Sequence, residues 1–147
     1  MKAVIQRVKN TRLSVNGETV SEIRGGLVVY FGVAVNDDPS TADQFAKKIV
    51  NMRVFEDENG KMNLSVIDKG LEILSVSQFT LLADCTHGNR PSFTGAEAPE
   101  KAREIYDRFC DKLAEYGVPV KKGVFGADMK IEQYNDGPVT IILENTP

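Results

Sequence analysis

The sequence predicts an α+β fold in which mostly antiparallel strands carry two packed helices. Three observations favour this class. Asn16-Gly17, the dipeptide most typical of a two-residue β-hairpin, stands between two segments that read as strands. Residues 27–33 are apolar on both faces, which is typical of a strand that is covered on both sides. Two other segments repeat apolar residues at helical spacing.

Strand signals occur at both ends of the chain and in its middle. The predicted strands are residues 3–8, 12–15, 18–23, 27–33, 71–82, 118–124, 129–134 and 139–144. Gly25-Gly26 interrupts the chain before the fourth of these, and Asp57-Glu58-Asn59-Gly60 predicts another hairpin turn. Because no repeat, linker or low-complexity segment breaks the pattern, we expect a single domain over residues 1–147.

Each predicted helix has a start signal and an apolar face. Pro39 suits a first helical turn, and Ser40 with Asp43 resembles a capping box. The apolar face of this helix consists of Ala42, Phe45, Ala46, Ile49 and Met52. Pro99 begins the second helix and Gly117 ends it. The buried stripe of the second helix consists of Ala102, Ile105, Tyr106, Phe109 and Leu113.

The overall charge limits how the chain can bind nucleic acid. A net charge of −3 argues against a protein that coats nucleic acid along its length, because such binding needs many phosphate contacts. A protein that binds only one nucleotide at the end of a strand is compatible with this charge. No apolar window approaches the roughly 18 residues of a membrane span, and no signal peptide is recognisable. We therefore expect a cytoplasmic protein with free thiols at Cys85 and Cys110.

The common catalytic and metal-binding arrangements are missing from the sequence. His87 is the only histidine, and a single histidine in a polar loop is more often exposed than catalytic. Two distant cysteines do not form a zinc site, so we expect no metal. No glycine-rich phosphate loop followed by lysine is present either. The residues alone therefore indicate no cofactor.

Two polar segments stand out against this background. Ser77-Gln78-Phe79-Thr80-Leu81 places polar groups at the end of an apolar strand, where they either fray toward solvent or face a pocket. Asn135-Asp136-Gly137-Pro138-Val139-Thr140 is by default a turn that leads into a strand. The residues alone leave both alternatives open for the first segment.

Five segments together resemble the D-aminoacyl-tRNA deacylase family, in the family's order and at its spacing. They are Ile5-Gln6-Arg7-Val8, Ser77-Gln78-Phe79-Thr80-Leu81, Gly88-Asn89-Arg90-Pro91-Ser92-Phe93, Phe125-Gly126-Ala127-Asp128-Met129 and Asn135-Asp136-Gly137-Pro138-Val139-Thr140. The resemblance extends over essentially the whole chain, and residues 84–87 match least closely. It implies a barrel-like sheet with two main helices.

The resemblance also implies a function and partners. Members are homodimers that act on the 3′ end of aminoacylated tRNA, with neither DNA nor membrane as a partner and without a cofactor. They hydrolyse the ester of D-aminoacyl-tRNA, and of glycyl-tRNA mischarged on tRNA(Ala), while L-aminoacyl-tRNA is rejected. The implied roles are proofreading and D-amino acid detoxification.

The resemblance assigns roles to three groups of residues. The catalytic group is Ser77, Gln78, Phe79 and Thr80. The chiral selector is Gly137-Pro138, joined by a cis bond and inserted from the partner subunit, with Arg7 holding its carbonyls. The adenosine site is Ala102, Phe125 and Met129, although core packing is an equally good explanation of the last two.

An aminoacyl ester is already activated, so its hydrolysis does not require a strong nucleophile. Main-chain N–H groups around Phe79 and Thr80 would stabilise the oxyanion, and one well-aimed donor is worth about 3 kcal/mol. A covalent role for the Thr80 hydroxyl is the alternative, but no base is visible beside it. Two other classes stay open, a general esterase that uses Ser77 or Thr80 and a non-catalytic module that binds RNA ends.

Overall fold

A six-stranded sheet, a small hairpin and two α-helices make up residues 1–145, the part of the chain that the computed structural model describes. The strands are β1 (Lys2–Val15), β2 (Glu18–Ile23), β3 (Gly26–Gly32), β4 (Phe55–Glu56), β5 (Met62–Leu64), β6 (Glu72–Ser77), β7 (Val120–Lys122) and β8 (Lys130–Glu144). The helices are α1 (Pro39–Val50) and α2 (Pro99–Glu115), and a short 3₁₀ turn covers Phe79–Leu82.

The sheet is built around β1, which is paired along both of its edges. Strand β8 runs antiparallel along one edge, while β3 and then β2 pair antiparallel with successive halves of the other. Strands β6 and β7 add to β3 in parallel orientation. The sheet curls until β2 meets β7, where the Ser21 hydroxyl donates to the carbonyl of Lys122. The predicted barrel-like, mostly antiparallel core is thus confirmed, with a parallel extension.

Two pairs of predicted strands are single strands in the structure. Residues 3–8 and 12–15 both belong to β1, and the strands predicted over residues 129–134 and 139–144 both fall in β8, which begins at Lys130. The polar residues between them suggest a break, but the ladder between β1 and β8 resumes on both sides of each irregularity. Long-range pairing therefore overrides the local signal.

The prediction of a strand over residues 71–82 is wrong beyond Ser77. Its partner β3 ends at Gly32, and the last ladder bond runs from the Gln78 N–H to the Phe31 carbonyl at 2.9 Å. Without a neighbouring strand to pair with, the chain turns at once into the 3₁₀ turn. The strand predicted over residues 118–124 is likewise shorter, because β7 pairs with β6 only from Val120 to Lys122.

The capping box predicted for α1 is wrong. Asp38 is the N-cap, and its carboxylate accepts a hydrogen bond from the Ser40 N–H at 2.8 Å, which lowers the pKa of that carboxyl. Asp43 is instead paired with Arg108 of α2 at 2.7 Å. The predicted apolar face is buried as expected, except that Met52 lies beyond the helix end and is half-buried.

Helix α2 follows the sequence prediction closely. Pro99 begins it, and Gly117 follows its end with a φ of +82°, a conformation that glycine adopts without strain. Its buried stripe packs on β3, where the rings of Phe31 and Phe109 stack with centroids 4.0 Å apart. The hydroxyl of Tyr106 donates to the carbonyl of Ser75 at 2.9 Å, so α2 is also bonded to β6 just before the Ser77 segment.

Candidate active site

The 3₁₀ turn is held against the end of β3 by a glycine. A Cβ atom on Gly32 would lie 2.8 Å from the Gln78 carbonyl oxygen and 2.5 Å from a methyl carbon of Leu82. Only a residue without a side chain lets the turn approach β3 this closely. Gly32 therefore determines where the predicted catalytic segment sits.

A cavity of about 640 Å³ lies beside this turn, within the range of ligand pockets in proteins. Its walls come from the ends of β3 and β6, the loop before α2, the first turn of α2 and the segment before β8. Six of the predicted site residues line it: Ser77, Gln78, Phe79, Ala102, Phe125 and Met129. Thr80 follows on the same turn and is exposed, whereas Arg7, Gly137 and Pro138 lie elsewhere on the protomer.

The turn carries two main-chain donors, on Phe79 at the cavity edge and on Thr80 next to it. Among residues 1–145, neither the Phe79 N–H nor the Thr80 N–H has a hydrogen-bond acceptor, whereas the Gln78 and Leu81 N–H groups are both bonded. The hydroxyl of Thr80 is bonded to the side-chain amide of Gln78. An amide is not a base, so this contact does not activate the hydroxyl for attack.

Aromatic side chains from two other segments complete the cavity. Phe93 meets Phe79 edge to face, with ring centroids 5.2 Å apart. Phe125 packs against Tyr106 at 6.0 Å, and the guanidinium of Arg103 lies 5.7 Å from the Phe125 ring centre. Sequence reasoning assigned no role to Phe93 or Arg103. Phe93 is the last residue of one of the five segments that resemble the family, so the sequence did indicate that this residue could belong to the site.

Gly137 and Pro138 lie in a bulge of β8 and do not line the cavity. Gln6 pairs with Thr140 and Val8 with Asn135, so residues 136–139 of β8 stand opposite Arg7 alone. Both Gly137 and Pro138 are exposed, and the peptide bond between them is cis.

Arg7 is the buried support of this bulge, with only 8% of its surface exposed. Its side chain donates to the Asp136 carbonyl at 3.0 Å and to the Val54 carbonyl at 2.6 Å. The Asp136 carboxylate lies 3.4 Å away and balances the charge. Arg7 therefore ties the residue before Gly137 to the β4 region.

A side-chain amide network supports both ends of the same bulge. The Gln133 side chain donates to Gln6 at 2.8 Å and also to Asn135, while Gln6 donates to the Thr140 hydroxyl at 3.1 Å. The Tyr30 hydroxyl donates to Gln133 at 3.0 Å. Asn135 and Thr140 flank residues 136–139, so a side-chain hydrogen bond holds the strand on each side of the bulge.

The remaining reactive side chains lie apart from this arrangement. His87 and Cys85 are exposed in the loop before α2. Cys110 is buried against Ser75, and burial raises the pKa of its thiol, so it stays protonated and unreactive. Within residues 1–145, no three histidine, cysteine, aspartate or glutamate side chains come together as a metal site would require. The same residues contain no helix long and apolar enough to cross a membrane.

A cavity with an unbonded N–H group at its edge, and with no nucleophile paired to a base among the lining residues described, suits the hydrolysis of an activated ester. Residues 4–144 match the family model described as D-Tyr-tRNA(Tyr) deacylase. The chain belongs to this D-Tyr-tRNA(Tyr) deacylase family. The resemblance seen in the five sequence segments is thereby confirmed.

Two bacterial relatives match over almost their whole length. A protein of Geotalea daltonii (strain DSM 22248 / JCM 15807 / FRC-32) named D-aminoacyl-tRNA deacylase is 53% identical, over 98% of this chain and 96% of that protein. A protein of Geobacter sp. (strain M21) with the same name is 52% identical, over 100% and 99% respectively. The expectation of an ester hydrolase is confirmed at the level of the family.

Solved structures share the fold. One described as a c-Myc DNA Unwinding Element Binding Protein is 44% identical, covers 100% of both chains and has a TM-score of 0.93. Another, described as a structural analysis of a probable eukaryotic D-amino acid tRNA deacylase, is 18% identical, covers 97% of both chains and has a TM-score of 0.79. At 18% identity, the second structure shows only that the fold is shared. The DNA element named in the description of the first structure is said of that protein and not of this chain.

Proposed function

We propose that this chain hydrolyses the ester bond of D-aminoacyl-tRNA and releases free tRNA and the D-amino acid. One observation carries the proposal. The Phe79 N–H group, unbonded within residues 1–145, lies at the edge of a cavity that six of the expected site residues line, and the unbonded Thr80 N–H follows it on the same exposed turn. The full-length relatives named D-aminoacyl-tRNA deacylase indicate which ester this cavity receives.

The proposed chemistry is attack by water on the ester carbonyl carbon. The carbonyl oxygen gains negative charge as the tetrahedral intermediate forms, and the Phe79 and Thr80 N–H groups stabilise it. The intermediate collapses by breaking the bond between the acyl carbon and the ribose oxygen, which leaves with the proton lost by water. The Gln78 side chain holds the Thr80 hydroxyl, Ser77 ends the strand that leads into the turn, and no covalent enzyme intermediate forms.

The Thr80→Ala variant separates the main-chain account from a threonine nucleophile. We expect it to keep kcat/KM for D-tyrosyl-tRNA within about tenfold of wild type, because it retains the N–H group and loses only the hydroxyl bonded to Gln78. Single-turnover deacylation measures this directly. Complete loss of activity, with folding and tRNA binding intact, would refute the main-chain account.

Chirality is the second part of the proposal. A site that accepts many D-side chains cannot select by contacts to the side chain, so it must obstruct the direction in which an L-side chain would point. Gly137 and Pro138 are exposed and lie outside the cavity of their own protomer. We therefore assign them to the cavity of the partner in a homodimer, with Arg7 fixing the bulge through Asp136. Glycine has no side chain to obstruct, so glycyl-tRNA, including that mischarged on tRNA(Ala), passes this filter.

The terminal adenosine is assigned to the apolar part of the cavity. Phe125, Met129 and Ala102 line one side of it and are partly buried. The Phe125 ring, already in contact with Tyr106 and close to Arg103, offers a face on which a base can stack. Charged tRNA is formed in the cytoplasm, where we place the protein as a proofreading and detoxifying enzyme.

A paired assay on D-tyrosyl-tRNA and L-tyrosyl-tRNA tests the proposed function. We expect rapid loss of the D-ester and sparing of the L-ester, because the obstruction acts only on the L-side chain. Equal loss of both esters would indicate a general esterase and refute the selector role of Gly137-Pro138. No loss of either would favour a non-catalytic module that binds RNA ends. A strictly monomeric protein with full activity and selectivity, checked by sedimentation, would refute the cross-subunit assignment.

A further inference from the structure

A second cleft, of about 450 Å³, opens at the foot of the residue 136–139 bulge. Arg7 and Asp136, which support the bulge, form part of its wall. Lys9, Arg24 and Lys69 also line it, and all three are exposed. We call the site defined by Arg7, Lys9, Arg24 and Lys69 the basic cleft.

The basic cleft carries an excess of positive charge in an acidic protein. Its wall contains these four cations and only two carboxylates, Glu56 and Asp136, while the whole chain has a net charge of −3. Asp136 is paired with Arg7. Among residues 1–145, no carboxylate oxygen lies within 4.0 Å of the charged nitrogens of Lys9, Arg24 or Lys69. Three positive charges therefore stay available to an anion.

Three separate segments bring these cations together. Lys9 lies on β1, Arg24 between β2 and β3, and Lys69 in the turn before β6. Single unpaired lysines are ordinary on a protein surface, but convergence on one concavity is what an anion-binding site requires. Several cations spread over a cleft suit a chain of phosphates better than one small anion.

We propose that the basic cleft binds backbone phosphates of the aminoacyl-tRNA whose 3′ end occupies the partner subunit's cavity. This rests on the proposed function, in which the bulge enters that cavity. The RNA strand that leads to the cavity then passes the foot of the bulge, where the basic cleft lies. It also gives an acidic enzyme a local means of attracting RNA.

The test compares a substrate with phosphates and one without. The Lys9→Gln/Lys69→Gln variant is assayed on D-tyrosyl-tRNA and on 3′-O-D-tyrosyl-adenosine, which has no phosphate. We expect kcat/KM for the tRNA ester to fall about tenfold at low salt and its log–log salt dependence to become shallower by about 1.5. The adenosine ester should be hydrolysed as by wild type. Arg24→Gln should act in the same direction.

Lys47→Gln/Lys48→Gln is the matched control, because it removes the same charge from the exposed side of α1. It should leave both substrates unaffected. An equal effect in the control, an equal loss on both substrates, or no loss on the tRNA ester by the cleft variant would each overturn the proposal. Failure of wild type to hydrolyse D-tyrosyl-tRNA would instead refute the proposed function. Inhibition of wild type by duplex DNA or inorganic phosphate as strong as by uncharged tRNA would overturn the assignment to RNA.

Discussion

The Phe79→Pro variant should hydrolyse D-tyrosyl-tRNA about a hundredfold more slowly than Phe79→Ala, because proline removes one oxyanion donor. Proline is sterically acceptable here. Phe79 is the first residue of the 3₁₀ turn, and Gln78 before it has φ −144° and ψ 86°, outside the α region that a following proline disfavours. Its N–H makes no hydrogen bond within residues 1–145 that the substitution would break.

Phe79→Ala is the matched control, since both variants lose the ring that contacts Phe93 and only one loses the N–H group. Single-turnover rates at saturating enzyme separate the chemical step from binding, and circular dichroism reports folding. Equal rates for the two variants, with both folded, would show that the Phe79 N–H does not face the reacting carbonyl.

The Gly32→Ala variant should lose about a hundredfold in kcat/KM while remaining folded. Its Cβ would lie 2.8 Å from the Gln78 carbonyl oxygen, a backbone atom that cannot remain in place at that distance. Because Gln78 leads into the 3₁₀ turn, the turn must move away from β3 and take both N–H donors with it. We expect a stability loss of about 1–3 kcal/mol, as for other overpacked sites.

Gly95→Ala provides the comparison. Its Cβ would have one neighbour within 4 Å, the Leu82 carbonyl oxygen at an ordinary 3.7 Å, so neither rate nor stability should change appreciably. Kinetics and denaturant unfolding of both variants measure the two effects. A Gly32→Ala protein with wild-type kcat/KM would show that the position of the turn does not control the reaction.

The parts of the fold that local signals specify were predictable from the sequence. Asn16-Gly17 forms the expected hairpin between β1 and β2, and Pro99 and Gly117 mark the limits of α2. The limits of β6 and β7 were not predictable, because they depend on where β3 and β6 stop offering a partner. The N-cap at Asp38 was missed because Ser40 three residues before Asp43 matched a more familiar pattern.

The sequence predicted which segments form the candidate site but not how their side chains contact one another. Recognisable motifs indicated residues 77–80 and 125–129, which the structure places around one cavity. Nothing local in the sequence indicates that Arg103 reaches the Phe125 ring, or that Arg7 bonds to Asp136, 129 residues further along the chain. These contacts depend on which helix and strand meet in the folded chain.

The bulge at residues 136–139 interrupts the pairing of β8 with β1 without ending the strand. Strand β8 leaves its ladder with β1 after Asn135 and rejoins it at Thr140, with paired residues on either side. A lineage, or a designer, can therefore lengthen, shorten or rewrite this four-residue excursion while the strands that flank it keep their pairing. Arg7, which stands opposite the bulge, and Val8, which pairs with Asn135, are both buried and therefore costly to change in the same step. Under the proposed selector role, small local changes in this segment would alter substrate preference.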